Sequence, residues 1–306
     1  MKRSLISTLY NEADNVARWW ESIVQQTVQP DEIAIVDGGS TDGTWEKLQE
    51  LARHSAPPVR LKQQRCNIAT GRNLAIALTD APIIASTDAG SFLAPDWFRE
   101  ITRPLLEDPL VDVVGGCSLN RFENEFQRFL EQFEGQAVPP RTPEEIDPSS
   151  RNIAFRRQAW ADVGGYPEWL TLTGEDALFN FELHKVGKRF FYNPRAAVSW
   201  PMRDTAAGYF KMLRGYGYGA AEAQLYAPYF WRRTLVALCP PSVWLSSRWR
   251  WRHAGFRYQK NLASARGWLA GLLCGRRPPK DWRRIDGVWL SPQAQRYLQP
   301  PTSRQQ

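Results

Sequence analysis

The stretch Ala81-Pro82-Ile83-Ile84-Ala85-Ser86-Thr87-Asp88-Ala89-Gly90 decides the fold. A short, β-branched apolar run reads as a buried parallel strand. The carboxylate at its C-terminal end falls at the sheet edge where open α/β folds place their ligands. The pattern occurs once before, as Glu32-Ile33-Ala34-Ile35-Val36-Asp37 followed by Gly38-Gly39-Ser40-Thr41-Asp42-Gly43-Thr44. Two neighbouring strands of one sheet, each ending in Asp, are expected to aim Asp37 and Asp88 at one crevice. That suits a nucleotide better than it suits a core. Turns favour Asp after a strand for local reasons, so the argument rests on the whole set of sites.

Working outward, strands alternate with helices. Strands are predicted over Ser4–Leu9, Ile33–Asp37, Val59–Gln63, Ile83–Asp88 and Val111–Cys117. Helices are predicted between them over Ala13–Gln26, Thr44–Ala52, Thr70–Leu78 and Pro95–Leu106. This rhythm implies right-handed βαβ units and a mostly parallel central sheet flanked by helices. The rhythm then changes. A helix is expected over Asn124–Gln136, a Pro-rich acidic loop over Ala137–Ser149 and a short strand over Asn152–Phe155. Glu175–Val186 reads as a helix, Phe190–Trp200 as a strand and Thr205–Tyr226 as one long, glycine-containing helix.

The 306 residues suffice for one large α/β domain with an extension, expected as residues 1–203 and 204–306. Charged residues at 23% and apolar residues at 43% describe a globular chain. Cys66, Cys117, Cys239 and Cys274 are scattered, without a CxxC pair, and read as reduced thiols in a cytoplasmic protein. His54, His184 and His253 form no sequence cluster. The N-terminus enters a strand at once and lacks the apolar length of a signal peptide.

Net charge is +7, and it is unevenly spread. Residues 228–306 hold 15 Lys and Arg against Asp281 and Asp286, a net of +13, with seven of the 14 tryptophans. The preceding 227 residues carry −6. Basic charge mixed with Trp, as in Trp244-Leu245-Ser246-Ser247-Arg248-Trp249-Arg250-Trp251-Arg252, suits either an anionic membrane surface or nucleic acid. It equally suits a solvated basic face with Trp packed inward. The apolar stretches Leu235–Trp244 and Leu262–Cys274 are too short to span a bilayer, which takes about 20 residues.

The motifs carry the chemistry. The loop after the second strand is neither GxGxxG nor GxxxxGK[ST], so neither a dinucleotide fingerprint nor a P-loop is present. Its glycines let backbone approach a ligand, and carboxylates there can accept from a base N–H or a ribose hydroxyl. Gly71-Arg72-Asn73 opens a helix, where Arg opposes the dipole and suits an anionic phosphate. Gly174-Glu175-Asp176 puts two carboxylates at a helix N-terminus, a favourable place for acids in any protein. Adjacent helical residues diverge, so one of the two is expected to face a reacting centre.

In this order Tyr10-Asn11-Glu12, Val36 through Thr44, Gly71-Arg72-Asn73, Thr87-Asp88-Ala89-Gly90, Gly165-Tyr166 and Gly174-Glu175-Asp176 resemble a family 2 glycosyltransferase of the GT-A fold, over about residues 4–200. The resemblance implies an inverting transfer of a sugar from a nucleotide-sugar donor, UDP- or GDP-linked, to an acceptor hydroxyl. It implies that Thr8, Tyr10, Glu12, Asp37, Gly39, Arg72 and Asp88 bind the donor, with Arg72 near the base or diphosphate. Asp176 would be the catalytic base, with Glu175 in support. Asp88 matches the first Asp of a metal-binding DxD motif for Mg²⁺ or Mn²⁺, but Gly90 stands at the third position and has no ligand atom. The same likeness implies a glycan or lipid-linked acceptor and a peripheral place on the inner face of the cell membrane, with no nucleic acid bound. A non-catalytic nucleotide-sugar or nucleic-acid-binding protein is the alternative class. A sugar nucleotidyltransferase would want a basic Gly-rich loop after the first strand, and Tyr10-Asn11-Glu12 is not one.

Overall fold

The computed structural model describes residues 1–53, 55, 57–135, 138–238 and 253–279, and the backbone of a short hairpin, Arg283–Ile285 with Val288–Leu290. The Trp244–Arg252 segment, Pro240-Pro241, His54 and Cys239 lie outside the described residues.

The first half is wound as the alternation requires. Strands β1 (Arg3–Leu9), β2 (Glu32–Asp37), β3 (Val59–Gln63) and β4 (Ile83–Ser86) alternate with helices α1 (Val16–Val24), α2 (Thr44–Arg53) and α3 (Ile68–Ala77). Then follow β5 (Phe92–Leu93), α4 (Trp97–Glu107), β6 (Val113–Arg121), α5 (Glu125–Glu134), β7 (Ile153–Arg156), α6 (Arg157–Asp162), α7 (Glu175–Lys185) and β8 (Phe190–Pro201). One sheet takes the order β3-β2-β1-β4-β7-β6-β8-β5. Its strands β5 and β7 run against the other six, so the sheet is mostly parallel.

Alternation along each strand separates two cores. Leu5, Leu9, Ile33, Ile35, Ile83 and Ala85 face Trp19, Trp97 and Phe98 on one side. Ile6, Ala34, Val36 and Ile84 face Phe155, Trp160, Tyr166 and Phe179 on the other. Both faces are buried, which is why these strands read as continuous apolar runs.

Three expectations need correction. Asp37 and Asp88 do not end neighbouring strands, because β1 lies between β2 and β4. Helix α1 starts at Val16 rather than at residue 13, because Glu12 and Ala13 are drawn into the loop after β2. The helix expected over Thr205–Tyr226 ends at Ala223, where Gln224 (φ 58°) and Tyr226 (φ 57°) turn left-handed. It is α8 (Ala206–Ala223), and separate helices α9 (Ala227–Leu238) and α10 (Ala254–Cys274) follow beyond the expected range.

The glycines of α8 are packing sites. A Cβ on Gly217 would lie 2.5 Å from the Ser264 carbonyl oxygen of α10, and one on Gly267 would lie 2.0 Å from that of Arg214. On its other side, a Cβ on Gly219 would lie 2.0 Å from the Thr173 carbonyl oxygen, just before α7. Helix α8 is thus pressed between α10 and the start of the helix that carries Glu175 and Asp176.

Candidate active site

At the carboxyl edge of the sheet a cleft of about 740 Å³ opens between the ends of β1 and β4 and the end of β8. Thr8, Tyr10, Glu12, Gly38, Asp88 and Gly90 line one side, and Arg151, Trp200 and Arg203 the other. The β1 and β2 loops are knitted together. Ser40 Oγ accepts from the Asn11 N–H at 2.8 Å, Asn11 Oδ1 from the Thr41 N–H at 3.0 Å and Thr44 Oγ1 from the Glu12 N–H at 2.7 Å. Burial pushes the Glu12 carboxyl up, Asp88 and Asp42 add to this, and a hydrogen bond from Asn15 opposes it.

Asp37 is fully buried beneath this wall. Its Oδ1 accepts from the N–H groups of Gly39 at 3.0 Å and Ser40 at 2.9 Å and from Gln63 Nε2 at 3.1 Å, while Oδ2 is buried without a partner. Its carboxylate therefore folds the Gly38-Gly39-Ser40 loop. Gly39 has φ 92°, a left-handed conformation glycine takes without strain.

A second cavity of about 670 Å³ shares Asp88, Arg151 and Arg203 with the first. Asp147, Glu175 and Asp176 line it, and Tyr216, Tyr226, Tyr229 and Ser264 of the C-terminal helices close it. Asp88 thus stands at the junction of the two spaces. Tyr226 donates its hydroxyl to Asp147 Oδ2 at 3.0 Å, which ties the residue after α8 to the 138–151 loop. A larger cavity of about 1000 Å³ under that loop contains none of the strand-end carboxylates.

Arg72, expected near the donor's base or diphosphate, stands beside Asp88 in the inner wall of the second cavity. It is 2% exposed, with Nη1 donating to Glu175 Oε1 at 2.5 Å and Nη2 to Asp88 Oδ1 at 2.8 Å. The two carboxylates hold its guanidinium charged against the effect of burial. Asn73 beside it accepts from Trp160 Nε1 and the Tyr166 N–H and donates to Glu168, and so pins the Gly165-Tyr166 turn. The Gly71-Arg72-Asn73 motif is a brace.

Glu175 and Asp176 diverge as helical neighbours do. Glu175 is buried in the ion pair with Arg72. Burial pushes its carboxyl up, Asp176 adds to that, and Arg72 opposes it. Asp176 is partly exposed in the second cavity and accepts from the Ala177 N–H at 2.9 Å. Burial pushes its carboxyl up too, against Arg72 and Arg151 and with Asp147.

The residues do not fit a divalent ion held by the chain itself. Asp88 Oδ1 is engaged by Arg72, and Gly90 offers no ligand atom. No group of three His, Cys, Asp or Glu suited to a metal occurs among the described residues.

Sequence reasoning missed Arg151, Trp200, Arg203, Asp147 and the three tyrosines. Each is isolated in sequence, and only the pairings of β7 and β8 and the break after α8 bring them to the site.

The Glycosyl transferase family 2 profile matches residues 4–164, more than half of the 306 residues. The chain belongs to this family. Among the relatives of this family 2 member is the O-antigen chain rhamnosyltransferase RfbN of Salmonella typhimurium, 26% identical over 65% of the chain and 66% of RfbN. The uncharacterized glycosyltransferase YibD of Escherichia coli is 33% identical over 36% of the chain and 32% of YibD. The chondroitin synthase of Escherichia coli is 37% identical over 30% of the chain and 14% of that protein. The matched segment spans less than two thirds of each of these relatives. In three dimensions the chain is similar to the mannosyltransferase PcManGT of Pyrobaculum calidifontis in complex with GDP-Man and Mn²⁺, with a TM-score of 0.66 at 18% identity over 89% of this chain and 87% of that one. It is also similar to residues 1–349 of TarS from S. aureus in complex with UDP, with a TM-score of 0.54 at 14% identity over 89% and 90% of the two chains. These likenesses establish the GT-A fold.

Proposed function

We propose that this family 2 member is an inverting glycosyltransferase, with the donor in the cleft beside Asp88 and the acceptor in the cavity beside Asp176. The observation that carries this reading is the junction of the two spaces at Asp88, braced by Arg72 to the helix that bears Asp176. A nucleoside lies against Thr8, Tyr10 and Glu12, on the loop that Asp37 and Gly39 shape. The acceptor hydroxyl enters between Asp176 and the tyrosines. Its oxygen attacks the anomeric carbon from the face opposite the diphosphate, and its proton passes to the Asp176 carboxylate. The bond from the anomeric carbon to the phosphate oxygen breaks, and its electron pair leaves with the diphosphate. A base whose carboxyl sits above its ordinary range is well matched to this proton transfer near neutral pH.

UDP- and GDP-sugars are the donor candidates, supported by the GDP-Man and UDP of the two similar structures. A glycan or lipid-linked acceptor is supported by the names of RfbN and the chondroitin synthase. Residues 1–203 supply the donor half, and residues 204–306 complete the acceptor half and contact the inner face of the membrane. No helix among the described residues is long and apolar enough to cross a membrane. The test is a panel of nucleotide sugars, assayed for hydrolysis and transfer with and without EDTA. Turnover of one donor, abolished in Asp176→Asn, supports the enzyme. Binding without turnover across donors and acceptors would support the non-catalytic alternative.

A further inference from the structure

Arg151, just before β7, and Arg203, just after β8, border both cavities. Neither pairs with a carboxylate among the described residues, although thirteen ion pairs are formed there. Arg151 Nε is buried without a hydrogen-bond partner. Both guanidinium groups gather on one ring, Arg151 at 4.1 Å and Arg203 at 5.8 Å from the centroid of Trp200. A guanidinium held against an indole is oriented before any ligand arrives. The Trp200 indole nitrogen lies 3.8 Å from where a Cβ at position 90 would sit. A carboxylate at position 90 would therefore be set against Trp200, the ring that both guanidinium groups share. Glycine there adds no further negative charge beside them.

We propose that Arg151 and Arg203, gathered on Trp200, form a cationic clamp that takes the donor's diphosphate in place of a chain-held metal ion. The inference rests on the reading of the cleft as the nucleotide-sugar site. Two guanidinium forks match phosphate oxygens in geometry and charge. As the bond to the anomeric carbon breaks, the electron pair arrives on the outer phosphate oxygen, and the clamp bears that charge without giving up a proton. Arg72 is already neutralised by the carboxylates of Asp88 and Glu175, which hold it by both terminal nitrogens.

The experiment is calorimetric titration of the full chain with UDP, GDP, uridine and guanosine, in EDTA and in Mn²⁺. The wild type is expected to bind one nucleoside diphosphate in EDTA about as tightly as in Mn²⁺. Arg151→Ala and Arg203→Ala are each expected to weaken that binding about 10- to 100-fold, the range for a lost charged hydrogen bond, while leaving the matching nucleoside unaffected. Gly90→Asp should weaken diphosphate binding in EDTA as well. Arg203 is exposed, so its variant keeps the fold even if Arg151→Ala does not. Wild-type binding that disappears in EDTA and returns with Mn²⁺ overturns the clamp, and so does unchanged affinity in Arg203→Ala. No diphosphate binding by the wild type under either condition overturns the reading of the cleft itself.

Discussion

Arg72 Nη1 lies 2.5 Å from Glu175 Oε1, and this ion pair joins the helix after β3 to the helix that bears Asp176. The same guanidinium holds Asp88 with its other arm, so one side chain couples the cleft beside Asp88 to the cavity beside Asp176.

Arg72→Ala leaves Glu175 buried without its counter-charge. Removing one member of a buried pair typically costs about 3–5 kcal/mol. Denaturant unfolding of the variant should show a loss of that order, together with loss of activity. A variant of unchanged stability would mean that Glu175 is accommodated by other means.

Asp176→Asn keeps the shape of the side chain and removes its basicity. Nucleotide affinity is expected to persist while turnover falls about 10²-fold or more, the usual size of a general-base contribution. Near-normal transfer would remove Asp176 from the role of base.

The pH profile follows from the direction in which burial moves Asp176. The base acts only when ionised, and its carboxyl sits above the ordinary value of 3.8. The rate should therefore be full above that raised value and fall as pH drops through it, at a higher pH than an exposed Asp would give. A kcat profile flat down to the ordinary Asp range would remove Asp176 from the role.

Residues 228–306 carry +13, and on α9 the exposed Trp231 and Leu235 lie beside Arg232. Anionic vesicles should sediment the protein at low salt and release it as salt rises, since each Lys or Arg near such a surface is worth about 1 kcal/mol. Trp231→Ser with Leu235→Ser should weaken this further. Equal binding to neutral vesicles would indicate apolar insertion instead, and none at all would leave the basic region as packed structure.

The winding and the motif positions were legible because they rest on local pattern: the apolar runs of β2 and β4, the strand–helix rhythm, and loops whose Gly and Asp residues mark strand ends. Strand order was not, since nothing local says that β1 separates β2 from β4. The ion pairs of Arg72 were not legible for a similar reason, since only the fold delivers Asp88 and Glu175 to it. Asp37 was placed at the correct edge, but only the loop geometry reveals that its carboxylate turns inward to Gly39 and Ser40. The glycines of α8 suggested weakness in a helix, where tertiary contact required them.

Those glycines restrict how acceptor preference can be re-engineered. Position 219 has no room for a side chain against the Thr173 backbone, and positions 217 and 267 have none across the α8–α10 crossing. A graft of this region from a relative would have to import the complete seam or none of it. By contrast Leu213 and Tyr216 of α8 and Tyr229 of α9 line the cavity with their side chains. Diversity of acceptor is thus expected to be written in a few cavity-facing side chains on an interlocked frame, which makes those positions the natural library for altering what the enzyme glycosylates.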